Sequence, residues 1–130
     1  MIVYLDSSAA AKLAWDEAES KVLRDFLARF DDVPNAIRSS VLVDTEVRRA
    51  AARNGVSQAR VSAALEKLEL ADIVREMFTS AGLLPGPGLR SLDALHITTA
   101  LRMEADAFVT YDTRQADAAR ACGLAVVAPA

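Results

Sequence analysis

The run Ile2-Val3-Tyr4-Leu5, β-branched and aromatic and of the length of a buried strand, stops abruptly at Asp6-Ser7-Ser8, three residues that cap helices well. A strand that gives way at once to a helix is the opening unit of an α/β layer structure. No other feature constrains the fold of this chain as strongly, because the same alternation then repeats to the end.

Ala9 to Trp15 reads as one helix and Glu17 to Phe30 as a second, with Val22, Phe26, Leu27 and Phe30 at helical spacing. Asp31, Asp32, Pro34 and Asn35 end it with turn chemistry. Ala36 to Ser39 fits a short strand, and Val41 to Arg53 a helix stopped by Asn54-Gly55. Ser57 caps a helix expected to reach about Ala71, whereas Ile73 to Met77 suits strand or helix equally. Gly82 to Gly88, holding Pro85, Gly86 and Pro87, reads as a loop. Ser91 caps an apolar helix over Leu92 to Glu104, Ala107 to Thr110 is a strand, and Tyr111-Asp112-Thr113 turns into a helix ending near Cys122-Gly123. Leu124 to Ala128 makes a last strand.

This order implies an α/β fold, a mainly parallel central sheet with helices on both faces and right-handed crossovers. At 130 residues, 52% apolar and 25% charged, the expectation is a single domain spanning 1–130. Ligands of such sheets sit outside the carboxyl ends of the strands. Leu13, Trp15, Val22 and Phe26 suit a partner surface as well as a core.

Fifteen Lys and Arg against 18 Asp and Glu, net −3, leave no basic footprint of the usual nucleic-acid-binding kind. That objection lapses if acids are clustered around divalent cations, which cancel their charge and attract phosphate. Cys122, the one cysteine, reads as a small buried hydrophobe. The first residues lack a basic leader pattern and no apolar run approaches the ~20 residues of a membrane span, so the expectation is a cytoplasmic protein with no membrane partner.

Asp6 and Asp112 each follow a strand and should project at the same sheet edge. Singly, each is an ordinary turn or capping residue. Glu46 falls between Leu42, Val43, Val47 and Ala50 on the apolar stripe of its helix, while Asp44 and Arg48 take the polar face. A buried carboxylate needs a partner, either an Arg or a metal. Asp93 lies in the first turn of an apolar helix, where the helix dipole alone accounts for an acid. His96, inside that helix, reads as a satisfied core residue and is kept out of the metal set. If Asp6, Glu46, Asp93 and Asp112 converge, each ionised pair near 4 Å repels by roughly 4 kcal/mol at an effective dielectric of ~20. Cations are then required, and all-oxygen ligation selects Mg²⁺ or Mn²⁺, the ions used in phosphodiester hydrolysis.

These segments together, Ile2-Val3-Tyr4-Leu5-Asp6-Ser7-Ser8-Ala9, Val43-Asp44-Thr45-Glu46-Val47-Arg48-Arg49-Ala50, Ser91-Leu92-Asp93-Ala94-Leu95-His96, Val109-Thr110-Tyr111-Asp112 and Ala118-Ala119-Arg120-Ala121-Cys122-Gly123-Leu124, resemble a PIN domain over nearly the whole chain. The closer likeness is to the VapC-type toxins of bacterial toxin–antitoxin pairs. The resemblance implies a three-layer PIN-like fold and places the metal-binding and catalytic acids on Asp6, Glu46, Asp93 and Asp112. Asp6 and Asp93 are then direct ligands, and Glu46 and Asp112 ligands directly or through water. It also implies Mg²⁺ dependence with Mn²⁺ as substitute, cleavage of structured RNA such as transfer or ribosomal RNA to 5′-phosphate products, a homodimer, and a small VapB-type antitoxin whose tail blocks the site. Asp117 is a candidate outer-sphere acid, Thr110, Ser7 and Ser8 are candidate hydrogen-bond partners of the acids, and Lys12, Arg48, Arg49, Arg53 and Arg114 are candidate RNA contacts.

A phosphorelay receiver domain requires a lysine at the end of its last strand, yet no Lys follows Lys67. A haloacid-dehalogenase-type phosphatase requires an Asp two residues after Asp6, where Ser8 stands. The glycines fit neither a P-loop nor a dinucleotide fingerprint. The non-enzymatic alternative is a PIN-like module that only binds.

Overall fold

A computed structural model describes residues 1–86 and 88–130. Among them five strands, β1 (Val3–Leu5), β2 (Ile37–Ser40), β3 (Glu69–Ala71), β4 (Ala107–Val109) and β5 (Val126–Val127), form one sheet in the order β3-β2-β1-β4-β5. Every pairing in it is parallel. The helices are α1 (Ser7–Ala14), α2 (Ser20–Ala28), α3 (Leu42–Asn54), α4 (Gln58–Leu65), α5 (Arg75–Gly82), α6 (Ser91–Arg102) and α7 (Thr113–Ala121). The expected three-layer α/β arrangement is the observed one.

Period-two alternation in the central strands sorts the core into two layers. Val3, Leu5 and Val109 face one side, where Ala9 and Ala10 of α1, Leu23 and Leu27 of α2, Val43 and Val47 of α3, and Val61 of α4 cover them. Tyr4 and Phe108 face the other, against Ile97 and Ala100 of α6 and Ala119 of α7. Each fully buried Val or Leu contributes about 1.5–3 kcal/mol by leaving water. The sheet therefore divides the chain in order, with the first four helices on one face and the last two on the other. Leu13, Trp15 and Phe26 pack against the first core, while Val22 stays 40% exposed.

The helix expected from Ser57 to about Ala71 ends at Leu65 instead, and Glu69–Ala71 becomes β3. Leu70 and Ala71 pair with Ser39 and Ser40, and this non-local pairing overrides the local helical pattern. Ile73 to Met77 splits, with Val74 extended and a helix starting at Arg75. Ser91 is not a cap: Ala94 N–H already donates to the carbonyl of Arg90 at 2.9 Å, so Arg90 caps α6 and Ser91 lies inside it. The last strand is shorter than expected, pairing only at Phe108↔Val126 and Val109↔Val127. Gly55 ends α3 as predicted, at φ 68°, where a side chain would be strained. Gly82 closes α5 instead of opening the loop, and of the segment read as loop Pro87 lies outside the described residues.

Candidate active site

Leu5 and Val109 are paired in register, so β1 and β4 deliver Asp6 and Thr110 side by side at the carboxyl edge of the sheet. The Asp6 N–H donates to the carbonyl of Val109 at 3.1 Å. The Asp6 side chain is 3% exposed and caps α1, accepting from the Ala9 N–H at 3.1 Å. Ser8 Oγ donates to its Oδ1 at 2.6 Å and Thr110 Oγ1 to its Oδ2 at 2.5 Å. Thr110 Oγ1 in turn accepts from the Asp112 N–H at 3.1 Å, and Ser8 Oγ from the Tyr111 N–H at 2.9 Å. Burial pushes the Asp6 carboxyl above the usual range, against the pull of these hydroxyls.

Asp93 sits in the first turn of α6, half-buried, and its carboxyl is also raised. Burial is the main cause, followed by the negative charges of Asp112 and Asp6 and, more weakly, Glu46. Asp93 therefore lies within the field of all three other acids. Asp112 is exposed and caps α7, its Oδ1 accepting from the N–H groups of Arg114 at 2.9 Å and Gln115 at 3.2 Å. Gln115, fully buried, donates to the Asp93 carbonyl at 3.3 Å and so braces α7 against the start of α6.

Glu46 is largely covered, as its place on the apolar stripe predicts, but its partner is not an arginine. His96 Nε2 lies 2.7 Å from Glu46 Oε1, and Ser7 Oγ donates to Oε2 at 3.2 Å. The other ring nitrogen, Nδ1, is 2.7 Å from the Tyr4 hydroxyl. His96 is thus the satisfied core residue expected, and at the same time it holds Glu46. Tyr4 and Gln115 escaped sequence reasoning because their period-mates are ordinary core residues. For His96 the signal was its position three residues after Asp93.

Among the described residues, none of Asp6, Asp93 and Asp112 has a basic ion-pair partner. Buried or crowded carboxylates in that condition call for a cation, and their donor atoms, all oxygen, suit a hard divalent ion. Among the described residues no three His, Cys, Asp or Glu side chains are drawn close enough to grip one ion in common.

The basic candidates separate into two kinds. Lys12 is buried, pairs with Glu19 at 2.7 Å and lies over the Tyr111 ring, and Arg48 pairs with Asp44 at 2.7 Å and reaches Ser62. Both are committed within the protein. Arg49 and Arg53 instead line a cleft together with Ser7, Ser8 and Glu46. Arg90 and Arg114 line another with Asp93 and Asp117. Among the described residues these four arginines form no ion pair. Asp117 is exposed and 3.6 Å from Arg120.

The sequence matches the PIN domain family over residues 3–121. It is 42% identical over 131 residues to Ribonuclease VapC46 of Mycobacterium tuberculosis (strain ATCC 25618 / H37Rv), covering 98% of this chain and 97% of that protein. Ribonuclease VapC35 of the same organism is 38% identical over 138 residues, with 98% and 97% covered. Among solved structures, M. tuberculosis VapC20, described as a sarcin-ricin loop cleaving toxin, superposes with a TM-score of 0.76 at 18% identity, covering 98% of this chain and 99% of that one. VapBC2 of Rickettsia felis, bound to a promoter DNA fragment, gives 0.74 at 18% identity with complete coverage of both chains.

Proposed function

The chain belongs to the PIN domain family, and from that premise we propose that it is a VapC-type toxin, a single PIN domain over residues 1–130 that cleaves structured RNA as a divalent-metal-dependent endoribonuclease. One observation supports the reading most directly: four acids, Asp6, Glu46, Asp93 and Asp112, surround one sheet edge, and Asp93 is raised first by burial and then by the charges of Asp112, Asp6 and, more weakly, Glu46. A purely structural module has no use for that repulsion. A hard cation relieves it.

Asp6 and Asp93 would hold the ion, Mg²⁺ with Mn²⁺ as a substitute, with Glu46 and Asp112 beside them. When bound, the ion supplies charge neutralisation, attraction for phosphate and a lowered pKa for water. The protein's part is to prepare the acids. Ser8 and Thr110 fix both oxygens of Asp6, so its carboxylate does not rotate. Gln115 ties the Asp93 backbone to α7, and the Asp112 cap keeps α7 at the same edge. Arg49 and Arg53 on one side, Arg90 and Arg114 on the other, offer bidentate phosphate contacts for an RNA backbone crossing the acids.

The partners proposed are a VapB-type antitoxin and a second copy of the chain, in the cytoplasm. Exposed Val74, Phe78 and Leu83 in and beside α5 give apolar surface of the kind protein interfaces use. Among the described residues no helix is long and apolar enough to cross a membrane.

The test is incubation of purified protein with total bacterial RNA and Mg²⁺ or Mn²⁺, with EDTA and a D6N, D93N double variant as controls. Discrete fragments that vanish in both controls are expected. Intact RNA in the presence of folded, antitoxin-free, metal-loaded protein would refute the nuclease reading and leave a binding module.

A further inference from the structure

We propose that the cleft leading away from Asp93 along α7 is a guanine pocket, in which the Asp117 carboxylate reads the base of an RNA nucleotide whose phosphate is held beside the acids. Asp117 is then a specificity-determining residue. The inference deepens the nuclease reading and rests on it for the class of substrate.

The cleft, of about 470 Å³, follows one face of α7. Arg114, Asp117, Ala118 and Ala121, at i, i+3, i+4 and i+7, line it, while Gln115, Ala116 and Ala119 turn the opposite face into the core. The groups along it come in a fixed order. Asp112 caps α7 among the acids and Arg114 stands two residues on. At about 1.5 Å of rise per residue, Asp117 lies ~4.5 Å further along the helix axis. A phosphate met by Arg114, and by Arg90 at the start of α6, therefore has room for its own base farther from the acids, at Asp117.

That space suits a base better than a second phosphate. Its walls are apolar, supplied by Leu89, Ala118 and Ala121, and the alanines are too short to fill it. Its outer polar group is an acid, which repels phosphate and accepts from a base edge. Asp117 is also free to exchange partners, because its ion pair with Arg120, at 3.6 Å, is exposed on both sides and contributes little. Hydrogen-bond chemistry then selects the base. A carboxylate only accepts, and it offers two oxygens side by side. Guanine alone among the four RNA bases presents two adjacent donors on one edge, N1–H and the 2-amino group. Adenine and cytosine set one amino group next to a bare ring nitrogen, which meets the second carboxylate oxygen lone pair to lone pair. Uracil has a single N–H between two carbonyls.

Short RNAs test the pocket without relying on cleavage. In D6N protein, fluorescence anisotropy with labelled heptauridylate carrying guanosine, inosine, adenosine or cytidine at its centre should show guanosine bound about 10-fold more tightly than the other three. Inosine differs from guanosine only in lacking the 2-amino group. Adding D117A should bring guanosine down to the inosine value while changing inosine far less, a coupling between one side chain and one amino group that a merely structural role would not produce. R120A, which removes only the ion-pair partner of Asp117, should keep the preference. Equal binding of guanosine and inosine by D6N protein, or a guanosine preference that survives D117A, would overturn the pocket. Wild-type protein that cuts total RNA with no guanosine enriched at a fixed distance from the cut would also overturn it and leave the nuclease reading standing. Guanosine-selective binding by protein whose wild-type form cuts no RNA would leave the pocket and remove only the nuclease reading.

Discussion

The two faces of the sheet are built from the same strands yet differ in chemistry. On the α1 to α4 face the core against the sheet is Val, Leu and Ala, from Val3 and Leu5 through Leu23, Val43, Val47 and Val61, with Lys12 of α1 and Ser20 of α2 as buried polar residues of its helices. On the α6 and α7 face, Tyr4, His96, Thr98, Thr99 and Gln115 are buried among the apolar residues, and Thr98 Oγ1 and Gln115 Oε1 find no partner among the described residues. Apolar contacts are non-directional and tolerant, so the first face can supply stability without fixing any one atom. Buried hydrogen bonds are directional and costly when unmet, so the second face gives up stability and gains orientation. The acids stand where these two layers meet at the carboxyl edge.

The sharpest test of that division is Asp6→Asn, expected to lower RNA cleavage by about 10²–10³-fold while raising the stability of the metal-free protein at pH 7. The sign follows from the raised Asp6 carboxyl. A folded state that holds the proton more tightly than the unfolded chain loses stability as pH rises through the window between the unfolded and folded pKa values. Asn, which also caps helices, removes that loss. Melting curves should show D6N above wild type at pH 7, by roughly 3–6 °C per kcal/mol relieved, and the gap should close below about pH 4, near the unfolded carboxyl pKa. A D6N protein no more stable than wild type at pH 7 would break the assignment of strain to this edge.

On the opposite face, Leu23→Ala should cost about 2–5 kcal/mol in urea unfolding and leave kcat per folded molecule unchanged; a fall in kcat would show that the apolar layer also tunes the site. Of intermediate size, R49A/R53A and R90A/R114A, measured as RNA binding by the D6N protein, should each flatten the salt dependence of log K by about 1–2. R60A, on the outer surface of α4, should leave it unchanged. The smallest effect expected is from Thr98→Val, which removes an unpartnered buried hydroxyl and should stabilise the protein by about 1 kcal/mol or less. Destabilisation there would mean that the polar face is satisfied in a way the apolar comparison misses.

The strand–helix order, the capping of α1 by Asp6 and the burial of Glu46 were all legible in the sequence, because each depends on local periodicity or on the conformational preference of one or two residues. Asp6 and Asp112 could be placed at one edge for the same reason: parallel strands that each end in an acid point their ends the same way. The tertiary structure alone decided that Glu69–Ala71 is a strand, since its partners, Arg38, Ser39 and Ser40, lie 31 residues away. It alone decided that Lys12 and Arg48 are spent on internal pairs while Arg49, Arg53, Arg90 and Arg114 form none among the described residues. It also supplied His96 as the partner of Glu46, for which the sequence offered an arginine or a metal. A hydrogen bond fixes a distance between atoms, and Tyr4, His96 and Glu46, up to 92 residues apart in the chain, become neighbours only once the sheet sets β1, α3 and α6 side by side.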